Sequence, residues 1–280
     1  MSKRKILPVA AVLAVAVIAT VVAAASKVAD VRERGELVML CWPHQESVFV
    51  RHMVNELGRE GLNVIGGIDV DVMERFARRL GVKLRVQPVR PDFAALIPGL
   101  LGGEGDVIAS SLSITAARAE LVEFSTPYFK VRKVVVARRG AAISSVADLA
   151  GKVASVARGT SHEEQLLALG YDDLEILPVQ FMLENYQAVA EGRSDFTLVD
   201  SSSARRVLAY PDLEDKLVVA FTFPESDYFG FALPPGSELR GVLDELLAEM
   251  RARGELDAIV ARHVDAETAA QASVADWKPE

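Results

Sequence analysis

The sequence has one cysteine, few aromatic residues and no excess of positive charge. Because Cys41 has no second cysteine to pair with, the sequence neither requires nor excludes an oxidising compartment. Lysine and arginine number 31 against 39 aspartates and glutamates, which gives a formal net charge of −8. An acidic chain without basic clusters is a poor nucleic-acid binder, so we expect no nucleic-acid partner and only local sites for anions.

The sequence also lacks the patterns of metal, nucleotide and catalytic sites. The 4 histidines, at positions 44, 52, 162 and 263, show no metal-site spacing. Cys41 has no plausible catalytic base nearby in the sequence, and there is no glycine-rich phosphate-binding loop. We therefore expect no metal, no cofactor and no enzymatic activity.

Residues 1–25 have the pattern of a secretion leader. Residues 3–5 are basic, an apolar run follows, and the three alanines at 23–25 provide a cleavage site before Ser26. The apolar run is about 20 residues long, which at about 1.5 Å per residue would also span a bilayer of about 30 Å. We interpret the leader as a signal peptide, with an uncleaved N-terminal membrane anchor as the alternative. The folded part is expected in the periplasm.

Strand and helix patterns alternate along the rest of the chain, which favours an α/β fold with parallel sheets. Predicted strands cover residues 37–40, 84–89, 107–110, 134–137, 153–157, 174–179, 196–199 and 218–223. The main helix signals are an apolar face ending at Gly81, a helix at 93–101, a capping box Ser161-x-x-Glu164, and an apolar face ending at Gly254. Residues from Asp265 onward carry no strong pattern and are expected to fray.

Residues 111–129 (SLSITAARAELVEFSTPYF) carry the strongest functional signal. Thr115 is the expected N-cap of a short helix, and Arg118 falls in the first turn of that helix. A cation is unfavourable there because the helix dipole is already positive, so removing Arg118 is expected to leave stability unchanged or slightly higher. Hydroxyls, free N–H groups and a guanidinium at one point would bind a carboxylate. The alternative is an exposed Arg118 that pairs with Glu120 or Glu123.

This segment and its neighbours resemble the signature of bacterial extracellular solute-binding proteins of the polar amino-acid type, family 3. The segment contains T-x-x-R and then V-x-F-S-x-P-Y; GIDVDVMERFARRLGV precedes it, and VADLAGKVASVARGTS and EGRSDFTLVD follow it, in the expected order. The resemblance covers residues 35–263. It implies the two-lobe periplasmic binding protein type II fold, in which two chain crossings act as a hinge.

The resemblance also implies the bounds of the lobes. The first lobe would comprise residues 36–128 and 224–263. The second lobe, with the hinge crossings, would comprise residues 129–223, and residues 264–280 would form a C-terminal tail.

By the same resemblance, the ligand α-carboxylate would bind Arg118, with Ser113, Thr115 and the backbone at Ser111. The backbone at Thr160 and Ser161 would complete this half of the site from the second lobe; the alternative for this turn is an ordinary connection between a strand and a helix.

The other half of the predicted site lies at Asp200, which would bind the ligand ammonium. The alternative, which can coexist with that role, is that Asp200 caps the helix that follows it. Trp42 is the expected stacking residue for the ligand side chain. Ile68 occupies a second stacking position, where many family members have an aromatic residue. His44, Gln45 and Glu46 could reach the tail of the ligand.

These features predict a monomeric periplasmic protein that closes over a small zwitterionic ligand and presents it to an ABC permease or another inner-membrane partner. A second interpretation is a ligand sensor, because parts of the chain also resemble the solute-binding-like domain of membrane-bound lytic transglycosylases. The chain ends at Glu280, which favours a stand-alone sensor in that case. A third is a lyase similar to cyclohexadienyl dehydratases, with Glu163 or Glu164 as the acid.

Overall fold

The computed structural model describes residues 27–42, 47–54, 60–179 and 182–277. The predicted leader at 1–25 and the loop residues His44, Gln45 and Glu46 lie outside these ranges, so their roles stay predictions. Within the described ranges, none of the helices is both long and apolar enough to cross a membrane.

The strands and helices alternate as the sequence pattern predicts. The strands are β1 Glu36–Cys41, β2 Arg51–Val54, β3 Glu60–Gly66, β4 Lys83–Pro88, β5 Val107–Ile108, β6 Glu123–Phe124, β7 Phe129–Arg138, β8 Val153–Ala157, β9 Glu175–Val179, β10 Phe196–Asp200, β11 Leu217–Phe229 and β12 Ala232–Leu233. The helices are α1 Val28–Arg34, α2 Ile68–Leu80, α3 Leu96–Leu101, α4 Ala116–Ala119, α5 Ser161–Ala168, α6 Met182–Ala190, α7 Ser201–Val207, α8 Pro211–Glu214, α9 Leu239–Ala252, α10 Glu255–His263 and α11 Ala266–Gln271.

Two five-stranded mixed sheets divide the fold. The first has the strand order β4-β1-β5-β12-β6; β1 pairs in parallel with β4 and β5, while β12 is antiparallel to β5 and β6. The second has the order β11-β7-β10-β8-β9, with parallel pairing among β10, β8 and β9. We call each sheet with its helices lobe 1 and lobe 2, in that order. The α/β prediction is thus confirmed.

Strands β7 and β11 form a long antiparallel ribbon that joins the lobes. The ribbon begins with Phe129 paired to Phe229, and both rings belong to the hydrophobic core of lobe 1. Farther along, Val134 and Val135 pack into the two cores on either side of the lobe 2 sheet. The pairing shifts register between Thr222 and Ser226. The ribbon therefore has the position of the predicted hinge, while the exact residue bounds of the lobes stay a prediction.

Two local expectations were wrong. Residues 266–271 form the helix α11 and do not fray: the Asp265 side chain caps α11 by accepting hydrogen bonds from the backbone N–H groups of Glu267 and Thr268, at 3.1 and 3.0 Å. Arg205 of lobe 2 pairs with Glu267 at 2.6 Å, so the tail helix is held by ion pairs. The predicted strand at 107–110 is also shorter, since β5 ends at Ile108. Ala109 still donates its backbone N–H to the carbonyl oxygen of Leu40 in β1 at 3.0 Å.

Candidate functional site

A cavity of about 50 Å³ lies between the two lobes. A space of this size holds about three to five water molecules, so it suits a small molecule rather than a polymer. Most of the predicted site residues lie in its wall: Trp42, Ser111, Ser113, Arg118, Thr160, Ser161 and Asp200. The structure therefore brings together residues that are up to 158 positions apart in the chain, counted from 42 to 200.

Arg118 is the principal cation of this wall. Thr115 caps α4 as predicted, because its hydroxyl accepts the backbone N–H of Arg118 at 3.3 Å. The Arg118 guanidinium donates to the carbonyl oxygen of Ser113 at 3.0 Å and to that of Gly159 at 2.9 Å. It also lies 3.2 Å from the Glu164 carboxylate. These contacts join the two lobes.

The alternative that the sequence left open for Arg118 was wrong. The side chain is not an exposed partner of Glu120 or Glu123, since Arg118 is only 5% exposed and pairs with Glu164. Its role in binding a carboxylate stays a prediction. Burial lowers the pKa of Arg118, and the carboxylates of Glu164 and Asp227 oppose that shift. A buried guanidinium held by backbone carbonyls keeps a fixed orientation, which favours recognition of a carboxylate.

An ion pair on the hinge ribbon lies behind the serine hydroxyls of the cavity. The hydroxyls of Ser113 and Ser161 are 2.8 Å apart, and Ser113 donates to the Asp227 carboxylate at 2.9 Å. Lys133 on β7 lies 3.3 Å from Asp227 on β11, and donates to the carbonyl oxygen of Ser161 at 3.1 Å. Sequence reasoning missed Lys133 and Asp227 because only the pairing of β7 with β11 brings them next to Ser113 and Ser161.

Asp200 lies at the end of β10, where its carboxylate is largely buried. Its Oδ1 is 3.0 Å from Nε2 of His162, and its side chain makes no capping bond to α7. The alternative role as a helix cap is therefore wrong. His162 was not predicted, although its place beside Ser161 in a turn that faces the cavity is a signal that could have identified it.

The first turn of α5 begins one residue earlier than predicted. Thr160, not Ser161, is the N-cap: its hydroxyl accepts the backbone N–H of Glu163 at 3.4 Å. Glu163 in turn accepts the N–H of Gly159 at 2.8 Å. The predicted capping box Ser161-x-x-Glu164 was therefore wrong by one position. Because Glu164 takes no part in the cap, its side chain is available to pair with Arg118.

Ser111 has an unusual backbone that a buried acid stabilises. Its φ of 48° lies in the left-handed region, which is unfavourable for a residue with a side chain. The Asp69 carboxylate accepts the N–H of Ser111 at 2.8 Å and the hydroxyl of Tyr128 at 2.5 Å. Burial raises the pKa of Asp69 to about 7, although these two hydrogen bonds act in the opposite direction.

The remaining wall of the cavity is largely apolar. Trp42 contacts the ring of Phe93 edge to face, with 5.9 Å between the centroids, and Met182 and Leu198 add apolar surface. Asn185 of α6 also lies in this wall. Its Oδ1 is buried, and no protein donor among the described residues lies within hydrogen-bonding distance.

Two predicted site residues lie elsewhere. Ile68, in the first turn of α2, is 0% exposed in the hydrophobic core of lobe 1 and is not part of the cavity wall, so its predicted stacking role was wrong. Thr115 lies outside the wall as well and serves as the cap of α4. The ligand contacts predicted for the other residues stay predictions.

The wall of the cavity presents a guanidinium, a carboxylate, hydroxyls and apolar side chains. In the described ranges, no group of three or more His, Cys, Asp or Glu side chains is arranged to hold a metal ion. The two acids considered for catalysis both have protein partners, since Glu163 accepts from Gly159 and Glu164 pairs with Arg118.

Comparison with known proteins identifies relatives of two kinds. Membrane-bound lytic murein transglycosylase F from Idiomarina loihiensis is 34% identical over 212 residues, covering 70% of this chain and 44% of its own length. The arginine-binding extracellular protein ArtP from Bacillus subtilis is 26% identical over 200 residues, covering 71% and 77%. The chain thus spans less than half the length of the transglycosylase.

Solved structures have the same fold. The P235GK mutant of ArgBP from T. maritima superimposes with a TM-score of 0.73 and 29% identity, covering 84% of this chain and 98% of that chain. The family model described as bacterial extracellular solute-binding proteins, family 3, matches residues 58–266, which is three quarters of the chain. The predicted fold and resemblance are confirmed, and the chain belongs to the bacterial extracellular solute-binding proteins, family 3.

Proposed function

We propose that the protein binds a small α-amino acid, or a derivative that keeps both charges, in the cavity between the lobes. The main support is that Arg118 of lobe 1 and Asp200 of lobe 2 line the same cavity. A guanidinium and a carboxylate in one small cavity match the carboxylate and the ammonium of a zwitterion. Trp42 and Phe93 provide a surface on which the ligand side chain can pack.

The ligand drives closure of the lobes in this proposal. Residues from both lobes meet only when the cavity is closed, as the contacts of Arg118 with Gly159 and of Ser113 with Ser161 illustrate. A ligand that binds both halves of the site has a higher affinity for the closed arrangement, and it shifts the population toward that arrangement. The ribbon of β7 and β11 is the element that bends.

The role that follows is uptake. We propose that the protein is a monomer that works outside the cytoplasmic membrane, in the periplasm, and delivers its ligand to an ABC-type permease. The extracellular character of the family and the name of the relative ArtP, an arginine-binding extracellular protein, support this role. We propose no enzymatic activity, because Glu163 and Glu164 already have protein partners.

A sensor is the second candidate, and the relationship to a lytic transglycosylase supports it. In that case ligand binding would control a membrane-associated partner instead of transport. The two roles use the same cavity. Capture of an ABC permease from membranes by the ligand-loaded protein would support transport, whereas capture of a cell-wall enzyme would support sensing.

Thermal unfolding with each proteinogenic L-amino acid tests the proposed ligand class. A ligand present at about 100 times its dissociation constant stabilises the folded protein by about 2.7 kcal/mol, which is readily measured. At least one amino acid, or one derivative that keeps both charges and is screened in the same way, should raise the melting temperature. If none does, the proposed function is wrong.

Two variants then test the site itself. Asp200→Asn removes the carboxylate for the ammonium, and Arg118→Lys keeps a charge but loses the planar fork. Each should weaken binding by about 2–5 kcal/mol, or about 30- to 4,000-fold. Arg193→Lys is the matched control, because Arg193 is exposed and pairs with Glu191 away from the cavity. Unchanged affinity in both site variants would show that the ligand binds elsewhere.

A further inference from the structure

Asn185 is a polar residue in the wall of the cavity. It lies on the buried face of α6, beside Tyr186, Ala188 and Val189. The same cavity wall includes the apolar side chains of Ala157, Met182, Leu198 and Val199. An amide that is 5% exposed in such surroundings would ordinarily make hydrogen bonds with the protein.

The side-chain oxygen of Asn185 lacks such a bond. The backbone carbonyl of Asn185 accepts the hydroxyl of Ser155 at 3.0 Å, so the main chain is satisfied. Its Oδ1, however, is buried without a protein donor among the residues that the structure describes. A buried acceptor without a partner costs about 1–3 kcal/mol of stability. An unpaired acceptor of this kind in the wall of a binding cavity indicates that its hydrogen-bond donor comes from a ligand and not from the chain.

We propose that Asn185 determines the specificity of the site by accepting a hydrogen bond from the side chain of the ligand. The inference rests on the proposed amino-acid function and narrows the ligand class. Arg118 and Asp200 would bind the charges common to all α-amino acids, and Asn185 would select those whose side chains carry an N–H or O–H donor. Amide, hydroxyl and guanidinium side chains belong to this class.

Ligands with apolar side chains are disfavoured because they leave the buried oxygen of Asn185 unpaired. An apolar ligand would exclude water from Asn185 without supplying a donor, and the amide would stay unpaired. The penalty of about 1–3 kcal/mol corresponds to about a 5- to 150-fold difference in affinity between ligands of similar size. Met182 and Leu198 cannot provide this selection because they offer only apolar contact.

The experiment compares matched ligands on three proteins. The dissociation constants of L-glutamine and L-methionine, and of L-asparagine and L-leucine, are measured by calorimetry for the unmodified chain, for Asn185→Leu and for Gln187→Leu. Gln187 is the control, because it lies on the same helix and is exposed. The unmodified chain and Gln187→Leu should prefer the donor-bearing member of each pair by about 5- to 150-fold. Asn185→Leu should lose or reverse this preference.

Thermal unfolding without added ligand gives an independent readout. Asn185→Leu removes an unpaired buried acceptor from an apolar wall, and its melting temperature should rise by about 2–6 °C relative to the unmodified chain. If the unmodified chain binds the apolar members as tightly as the polar members, the role of Asn185 is wrong and the amino-acid function stands. If it binds no amino acid at all, the proposed function fails and this inference fails with it.

Discussion

Replacing Asp69 with asparagine should remove a pH dependence from the stability of the protein. The Asp69 carboxylate is 0% exposed in the core of lobe 1, and burial raises its pKa from 3.8 to about 7. In the unfolded chain the same group ionises near its ordinary pKa. As the pH rises from about 4, ionisation therefore stabilises the unfolded state first, and the free energy of unfolding falls until about pH 7. Above about pH 7, Asp69 no longer makes the free energy of unfolding depend on pH.

The magnitude follows from the size of the shift. A difference of about three pH units, at about 1.4 kcal/mol per unit, gives a loss of about 4 kcal/mol between pH 4 and pH 7. Asparagine does not titrate. Its oxygen can accept the N–H of Ser111 and its amide can donate to Tyr128, as a protonated Asp69 would. Asp69→Asn should therefore match the unmodified chain near pH 4 and exceed it in stability near pH 8.

Urea denaturation followed by tryptophan fluorescence, at intervals between about pH 4 and pH 9, measures these free energies. Asp71→Asn is the matched control on the same helix. Burial raises the pKa of Asp71, but hydrogen bonds from His263 and Arg262 outweigh that effect, and the pKa is lowered overall. The lowered pKa means that the stability Asp71 contributes is present above about pH 4, so Asp71→Asn should be less stable than the unmodified chain in this range and should not exceed it near pH 8. If the difference between Asp69→Asn and the unmodified chain does not change between pH 4 and pH 8, the raised pKa of Asp69 is refuted.

Two further predictions concern the contacts between the lobes. Arg118→Ala should lower the free energy of unfolding, measured by urea denaturation, by about 2–4 kcal/mol, because the carbonyls of Ser113 and Gly159 lose their buried donor. Unchanged or higher stability would instead support the helix-dipole argument made from the sequence. Gly159→Ala should lower the free energy of unfolding by about 1–3 kcal/mol more than Gly170→Ala does, because the added Cβ would lie 2.5 Å from Cβ of Ala94 in the other lobe. Gly170 is the control, since it has a similar positive φ and an added Cβ there would have no atom within 4 Å. Equal melting temperatures for the two glycine variants would show that the lobes do not meet at Gly159.

Much of the fold was predictable because the local signals agree with one another. The predicted strand at residues 153–157 matches β8, and the apolar face that ends at Gly254 belongs to α9. These elements have apolar patterns of the correct period and glycines at their ends. The predictions failed where tertiary contacts decide the structure. The α11 helix has a weak apolar pattern, and the cap at Asp265 and the pair with Arg205 stabilise it.

Residues of the candidate site were predictable from the sequence, but the side chains that pair with them were not. Family motifs identify Arg118 and Asp200; Asp200 is the last residue of β10, and Arg118 lies in α4, which follows β5. Their partners, Glu164 and His162, lie on one turn of α5, and this turn begins at Thr160 instead of Ser161. A shift of one residue rotates a helical side chain by about 100°, which is enough to change which group reaches the cavity.

Glu164 and His162 also affect the affinity for a ligand, because a ligand that binds Arg118 and Asp200 has to replace or share their contacts. A ligand carboxylate that binds Arg118 must compete with Glu164, and a ligand ammonium at Asp200 must compete with His162 or share the carboxylate with it. The Glu164 side chain is 43% exposed, so losing its pair to water costs little, about 0.2–1 kcal/mol. The His162 contact is largely buried, and a charge-assisted hydrogen bond of that kind contributes about 1.5–3 kcal/mol. In the binding mode that we propose, the ammonium half of the site is therefore the more costly half to occupy, and sharing of the Asp200 oxygens affects the affinity most in that half.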